Sequence, residues 1–346
     1  MDRAPSEIWA KIFSFACTDS GFTGRSLSLT STFFRLACEP YRLQSIAAFG
    51  PRKILAVDHI LSVVPAHLRR VRYLFISLHP IDHSISDADE DVEEEPVVIA
   101  VRRIMELVAD TLEVLGLNLT PWSLGDETVI PMPRLTDLIS NNYPLQQDRG
   151  LFEALGPPPH DSPNPPVLEI PSPPAFPKLR SFHLTKVMEV SNYTHMFGEI
   201  SKLMPSLTYV KFSETKDIGF GNALSLALGS EPLTASGAAH GTIFTARLST
   251  SIEKVYVRPS VPQTIPGGYI TGFIYQAFLK DMIQLAERGL ARFVFLRAPA
   301  SNNEQVWDPW VDWKAAVAMR GGEDRWNQDE RHSLESPRHP TQGETI

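Results

Sequence analysis

The segment Leu112-Glu-Val-Leu-Gly-Leu117 sets apolar residues at its first, fourth and sixth positions. In an extended chain the fourth and sixth side chains share one face and the third and fifth share the other, so the pattern predicts a short strand with one face committed to a core. Leu179-Arg-Ser-Phe-His-Leu184, Leu207-Thr-Tyr-Val-Lys-Phe212 and Leu290-Ala-Arg-Phe-Val-Phe295 repeat it, and further versions begin at Val71, Leu135 and Ile252. Successive starts from 71 to 290 are separated by 41, 23, 44, 28, 45 and 38 residues. Helical periodicity occupies several of the intervals, over 54–64, 97–111, 193–204 and 272–289. Strands joined through helices favour parallel pairing, because parallel neighbours need a crossover of a dozen or more residues. Strand and helix repeated in this way predict an irregular β/α solenoid. An ordinary three-layer α/β domain shows the same alternation. Its natural companion would be a glycine-rich nucleotide loop, and Gly219-Phe-Gly221 is too short a pattern to count as one.

The spacing of the cores resembles that of leucine-rich repeats, irregularly so, because only some intervals fall near a single repeat of roughly 20 to 29 residues. That resemblance implies short parallel strands lining one wall with helices outside, over residues 49–320. Two insertions interrupt it. The acidic run Asp87-Ala-Asp-Glu-Asp-Val-Glu-Glu-Glu95 repels itself and predicts a flexible loop over 82–96. The proline-dense stretch 156–177 excludes helix and central strand, and predicts a spacer.

Ahead of the repeats lie Pro5-Ser-Glu-Ile-Trp-Ala-Lys-Ile-Phe-Ser-Phe-Ala-Cys17 and Ser26-Leu-Ser-Leu-Thr-Ser-Thr-Phe-Phe-Arg-Leu-Ala-Cys38. In the first, Ile8, Ile12 and Phe15 form one helical stripe and Trp9, Phe13 and Ala16 a second. One stripe is enough to dock a terminal helix on its own domain, so the second suggests a partner. Pro5 and Glu7 mark the helix start. Asp19-Ser-Gly-Phe-Thr-Gly24 is turn chemistry that separates this helix from the next, which ends at Glu39-Pro40, and residues 43–48 read as a short strand.

Roughly residues 4–48 resemble the F-box, the adaptor-binding motif of the substrate receptors of SCF-type ubiquitin ligases, and most resemble the large F-box families of mushroom-forming fungi. Pro5, Glu7, Ile8, Trp9, Ile12 and Phe13 match the first part of the motif. Leu27, Leu29, Ser31, Phe34, Arg35, Leu36 and Ala37 match the second, and Ala4 stands where the family prefers leucine. The resemblance implies a helical domain over 3–48 that binds a Skp-family adaptor, and through it a cullin ligase, by way of Pro5, Ile8, Trp9, Ile12, Phe13, Leu27, Leu29, Phe34 and Leu36. The repeats would then present a surface to a target protein. The other expectation from the same residues is a scaffold whose first helices cap its own solenoid, with no ligase role.

Composition narrows the classes. A net charge of -8 argues against a nucleic-acid or anionic-membrane surface as the main partner. No apolar run approaches the roughly 18 residues of a membrane span, and no secretory signal is visible, so a cytoplasmic or nuclear site is expected. Cys17 and Cys38, the two cysteines, both sit in apolar helical patterns and are expected to be buried reduced thiols.

No catalytic set, cofactor motif or metal motif is expected from the sequence. It lacks a Gly-x-Ser-x-Gly elbow, a phosphate loop and a His-Glu-x-x-His pair. His79 and His83 straddle Pro80, while Arg69, Arg70 and Arg72 would suit a phosphate clamp or a solvated repeat edge equally. Near the C-terminus Asp308-Pro309 reads as a helix start, followed by Trp307, Trp310, Trp313 and Val317 on one face. These aromatics predict a helix sealing the end of the repeats or, with Trp307, Trp310 and Trp313 exposed, an anchor for a target protein. Residues 321–346 are polar and aperiodic and predict a disordered tail.

Overall fold

The computed structural model describes residues 5–79, 94–119, 129–141, 145, 173–185, 193–215, 218–233, 247–260, 269–296 and 309–319. The protein is α/β, with one eight-stranded sheet. Its strands are β1 (Ser45–Phe49), β2 (Tyr73–Ser77), β3 (Val114–Asn118), β4 (Asp137–Ser140), β5 (Ser181–Thr185), β6 (Tyr209–Thr215), β7 (Lys254–Pro259) and β8 (Phe293–Phe295). All neighbours are parallel and the strands are added strictly in chain order.

Each of the seven apolar cores carries a strand, starting two residues in, or three for the last. The residue opening the core and those on the fourth and sixth positions face a single hydrophobic core. Leu112, Leu115 and Leu117 do so from β3, Leu179, Phe182 and Leu184 from β5, and Leu207, Val210 and Phe212 from β6. A tight turn sets this phase. Met132-Pro-Arg-Leu135, Phe176-Pro-Lys-Leu179 and Met204-Pro-Ser-Leu207 each close with the leucine N–H donating to the carbonyl three residues back, at 3.2, 3.3 and 3.2 Å. Proline preorganises the second position of such a turn, and both ends are buried, so the turn pins the strand start and leaves register little freedom. The next residues in the cores form a ladder of their own. Arg72 N–H donates to the Gln44 carbonyl, Glu113 to Arg72, Thr136 to Glu113, Arg180 to Thr136, Thr208 to Arg180 and Glu253 to Thr208, at 2.8 to 2.9 Å.

Among the described residues nine α-helices accompany the sheet. Three precede it: α1 (Ser6–Ala16), α2 (Phe22–Thr30) and α3 (Thr32–Cys38). The expected single second helix is thus two. It breaks at Ser31, whose hydroxyl caps α3 by accepting from Phe34 N–H at 3.1 Å, and Asp19 rather than Gly24 marks the start of α2 by accepting from Thr23 N–H at 2.9 Å. Helices α4 (Pro51–Val63), α5 (Glu94–Val108), α6 (Tyr193–Leu203), α7 (Ile218–Ala227) and α8 (Tyr269–Glu287) contribute to the core under the sheet. In α5, Val97, Ala100, Val101, Ile104, Met105 and Val108 recur at helical steps and are all buried. The helix opens at Glu94, inside the run expected to be a loop; the rest of that loop over 82–93 lies outside the described residues. The proline-dense insertion lies outside them up to 172. Its last residues, Ala175 and Phe176, are buried in the turn before β5 and are part of the repeat, not of a spacer.

Helix α7 is absent from the sequence reading. It is apolar on most sides and shows no stripe, and its glycines serve close packing: a Cβ on Gly221 would stand 2.7 Å from the Cβ of Asp281 in α8. Phe220 joins the layer, meeting Phe212 edge-on at 5.2 Å and Phe278 at 6.4 Å. Asp281 is buried there, and loss of water raises its carboxyl pKa, against a smaller opposing effect of Lys280. A folded-state pKa above the unfolded one means stability is lost as pH rises through that window. Asp281→Asn is therefore expected to raise the thermal midpoint at pH 7 and to leave it unchanged near pH 3, measured by calorimetry at both values.

The last helix, α9 (Pro309–Met319), begins at the expected proline but does not seal the end of the sheet. It lies on the opposite face from α4–α8, over β2, β3 and β4. Residues 320–346, expected to be a tail, lie outside the described residues.

Candidate protein-docking site

Helices α1 and α3 are held together by aromatic rings. Trp9 stacks on Phe13 at 5.8 Å and meets Phe34 edge-on at 5.2 Å, and Phe13 meets Phe34 at 5.8 Å. Phe13 is 1% exposed. Of the two stripes on α1, the one carrying Trp9 and Phe13 is therefore satisfied inside the helical unit, by residues before position 50. The other stripe is left over. Ile8 is 50% exposed, Ile12 and Phe15 are comparably open, and Leu29 and Leu36 are each 71% exposed on α2 and α3.

Nine residues were expected to contact a partner, and the fold divides them. Pro5, Ile8, Ile12, Leu29 and Leu36 are on the surface. Trp9, Leu27 and Phe34 are half-buried and Phe13 is interior, so Phe13 supports the surface and does not belong to it. Phe22 and Phe33, which the sequence reading left out of the site, are exposed alongside it. No signal in the helical pattern of α1 could have placed them, because Phe22 opens α2 and Phe33 lies on α3, after the break at Ser31.

Gln44 fastens the unit to the sheet. Its side-chain amide donates to the Ser14 carbonyl at 2.8 Å and the Cys17 carbonyl at 3.4 Å, capping the end of α1. Its own carbonyl accepts from Arg72 and Tyr73 N–H at the start of β2. Cys17 and Cys38 are free and buried at this junction. Burial, the neighbouring Cys38 and then Asp19 push the Cys17 thiol up to about 11, where it stays protonated and unreactive at neutral pH.

The face under α9 was not anticipated. Row by row across the strands it runs Ala47, Phe75, Gly116, Ile139, His183, Lys211, Tyr256 and Val294, apolar over β1–β4, polar at β5 and β6, and apolar again at β7 and β8. Trp313 of α9 is 1% exposed among Tyr73, Phe75, Val114 and Ile139, and Trp310 stacks on it at 4.9 Å while meeting Phe49 and Phe75 at 5.1 Å. Trp313 is a core residue, which corrects its expected role as an exposed anchor, and Trp307 lies outside the described residues. On the polar half, Asp312 Oδ2 is 2.6 Å from His183 Nδ1 and 3.8 Å from Lys211 Nζ, and His183 Nε2 is 2.7 Å from Ser213 Oγ.

Serine, histidine and aspartate in this order have the connectivity of a nucleophilic relay. Here the hydroxyl and imidazole are completely buried with α9 in place, and the set acts as a polar clamp on that helix. The other candidates for chemistry are occupied by structure. Arg72 forms a two-point pair with Glu113 at 2.7 and 2.6 Å, which raises its pKa further, while Arg69 and Arg70 donate to the carbonyls of Val64 and His67. Among the described residues no cluster of histidine, cysteine and carboxylate could hold a metal ion, and no helix is long and apolar enough to cross a membrane. His83 lies outside them.

No protein-family model, curated protein or solved structure matches the chain.

The division of the helical unit into interior and surface has a direct consequence. Phe13→Ala is expected to destabilise the protein or its N-terminal unit by about 3–5 kcal/mol, as for a buried phenylalanine, whereas Ile8→Asp is expected to stay within about 0.5 kcal/mol of wild type. Urea unfolding followed by tryptophan fluorescence, which Trp9 reports, measures both. Cys17 and Cys38 are expected to react with a thiol reagent only on the timescale of opening of that unit, and Phe13→Ala to accelerate both.

Proposed function

We propose that the protein is a non-catalytic substrate receptor of an SCF-type ubiquitin ligase, docking on a Skp-family adaptor through α1–α3. The observation that carries this reading is the surplus apolar surface of Ile8, Ile12, Phe15, Leu29 and Leu36 on a unit whose aromatic interior is already complete. Four of them, Ile8, Ile12, Leu29 and Leu36, are among the residues that the F-box resemblance assigns to the adaptor, and Phe15 adds to their stripe. Covering them yields about 1–2 kcal/mol each before the cost of association, enough to matter to a specific complex.

The eight parallel strands in chain order, with α4–α8 along one face, support a leucine-rich-repeat-like solenoid as the target-presenting part. In such a receptor catalysis is proximity: a target lysine is held near an enzyme supplied by another subunit, and the receptor itself needs no acid, base or nucleophile. The competing reading, a scaffold whose first helices only cap its own sheet, draws support from Gln44, which ties α1 to β1 at the sheet edge. It leaves the outward stripe without a role.

Co-purification with recombinant Skp-family adaptor separates them. Wild type is expected to be retained, and Ile8→Asp combined with Ile12→Asp to lose at least tenfold in affinity while unfolding at the wild-type urea concentration. Equal retention of both, or of neither, would favour the cap.

A further inference from the structure

Helix α9 sits on the sheet in the manner of a ligand. It covers strands far from its own place in the chain: β8 ends at Phe295, yet α9 lies over β2–β4, five strand spacings or about 24 Å from β8 to β3. The 14 residue steps from Phe295 to Pro309 reach up to about 50 Å, so the connection imposes no single position on the helix. The contacts that seat it on β2–β6 include ring packing and an ion pair made by its side chains.

Gly116 lies in the middle of β3, where glycine weakens a strand and marks close approach by another group. A Cβ there would stand 3.0 Å from Cδ1 of Trp313 and closer still to the ring of Phe75. The seat for Trp313 thus depends on the missing side chain. Beside it, His183 and Lys211 are register partners on β5 and β6, both buried, and both approach one carboxylate oxygen of Asp312. Within α9 the distinctive elements are Trp310, Asp312 and Trp313, an acidic residue between aromatics three positions apart, and Ala316 and Val317 complete the buried face. The other side of the helix is open, with Val311 and Lys314 exposed. An isolated helix of 11 residues is marginal in water, so once released it has little reason to remain folded.

We infer that the sheet face beneath α9 is the target-binding surface of the proposed receptor, and that α9 occupies it in cis as a stand-in for the target. The target chemistry follows from the seat: a helix presenting a carboxylate between two large aromatic residues, one ring over Gly116 and the carboxylate on His183 and Lys211. Binding such a helix in trans displaces α9, which makes α9 a built-in threshold against weak targets.

This inference rests on the receptor reading, and the two are tested in one set of samples. The full-length chain is followed by hydrogen exchange, and a fluorescent peptide with the sequence of residues 306–320 is titrated onto wild type and Asp312→Asn. The amides of α9 are expected to exchange at least 100-fold faster than those of β3 and α5, through an opening that leaves the rest folded. The peptide is expected to bind Asp312→Asn at least tenfold more tightly than wild type, and a peptide carrying asparagine at that position to bind at least tenfold more weakly. Equal protection of α9 and β3 in wild type would overturn the inference, since α9 would then be a permanent part of the core. Exchange of α9 between two copies, seen as a concentration-dependent dimer, would also overturn it, because the occupant would be a second copy and not a target. Adaptor retention is expected to be the same for wild type and Asp312→Asn. Its loss in both, with peptide binding intact, would remove the ligase reading and leave the helix-binding face standing.

Discussion

When all the crossover helices of a parallel sheet lie on one face, the other face is left either to solvent or to a separate cover, and its side chains show which. In this protein the fourth and sixth positions of each repeat face the layer of α4–α8, and they are apolar from β2 to β8 except at Ser140, a buried serine at the end of β4. The third and fifth positions face the other way and obey no common rule. They are aromatic and aliphatic at Tyr73, Phe75, Val114 and Ile139, absent at Gly116, and polar at His183 and Lys211. A cover for that second face must bring rings to one half and a carboxylate to the other, and Trp313 and Asp312 on α9 supply both from adjacent positions.

The N-terminal unit meets the same demand on a smaller scale and resolves it only halfway. Three helices of 11, 9 and 7 residues are too short to be stable alone, and the aromatic contacts of Trp9, Phe13 and Phe34 provide the tertiary packing that fixes them. Those rings pack against one another and leave Ile8, Ile12 and Leu36 exposed, together with Phe15, Phe22 and Phe33. Exchanging these for polar residues would leave the stability of the unit nearly unchanged, so its own packing gives no reason for them. Their retention on the surface is what gives the docking proposal its weight.

The strands were legible because their signal is local and repeated: seven apolar hexads at one phase identify seven strands, and the short segment before them identifies the eighth. The turn that sets their phase is equally local in Met132-Pro-Arg-Leu135, Phe176-Pro-Lys-Leu179 and Met204-Pro-Ser-Leu207, but its signal is a proline at a fixed offset and not an apolar period. Helix α7 escaped for the opposite reason. Residues packed on several sides leave no stripe, and the reason for a glycine at 221 is visible only with α8 lying against it. The clamp of His183, Lys211 and Asp312 was beyond sequence reasoning altogether. Its members lie on three elements, and the placement of α9 over β2–β4 instead of beyond β8 depends on ring shape and on a glycine, neither of which has a period. The docking surface fell between these cases: the two stripes of α1 were evident, but which of them faced inward was decided by Phe34 on another helix.

Strand β1 connects the two surfaces. At its start Gln44 holds the C-terminal end of α1 by side-chain hydrogen bonds, and at its end Ala47 and Phe49 pack against the aromatic cluster that seats α9. Five residues of extended chain separate Gln44 from Phe49, about 17 Å. The strand is hydrogen-bonded along its length to β2, and Gln44 itself accepts from the first residues leading into β2. Neither surface can therefore move far without disturbing the ladder that joins them. For a receptor acting by proximity this rigidity is the useful property: a target seated on Gly116, His183 and Lys211 would be held at one distance and in one orientation relative to an adaptor on Ile8 and Ile12, so the entropy of bringing target and ligase together is spent on binding and not on a flexible tether.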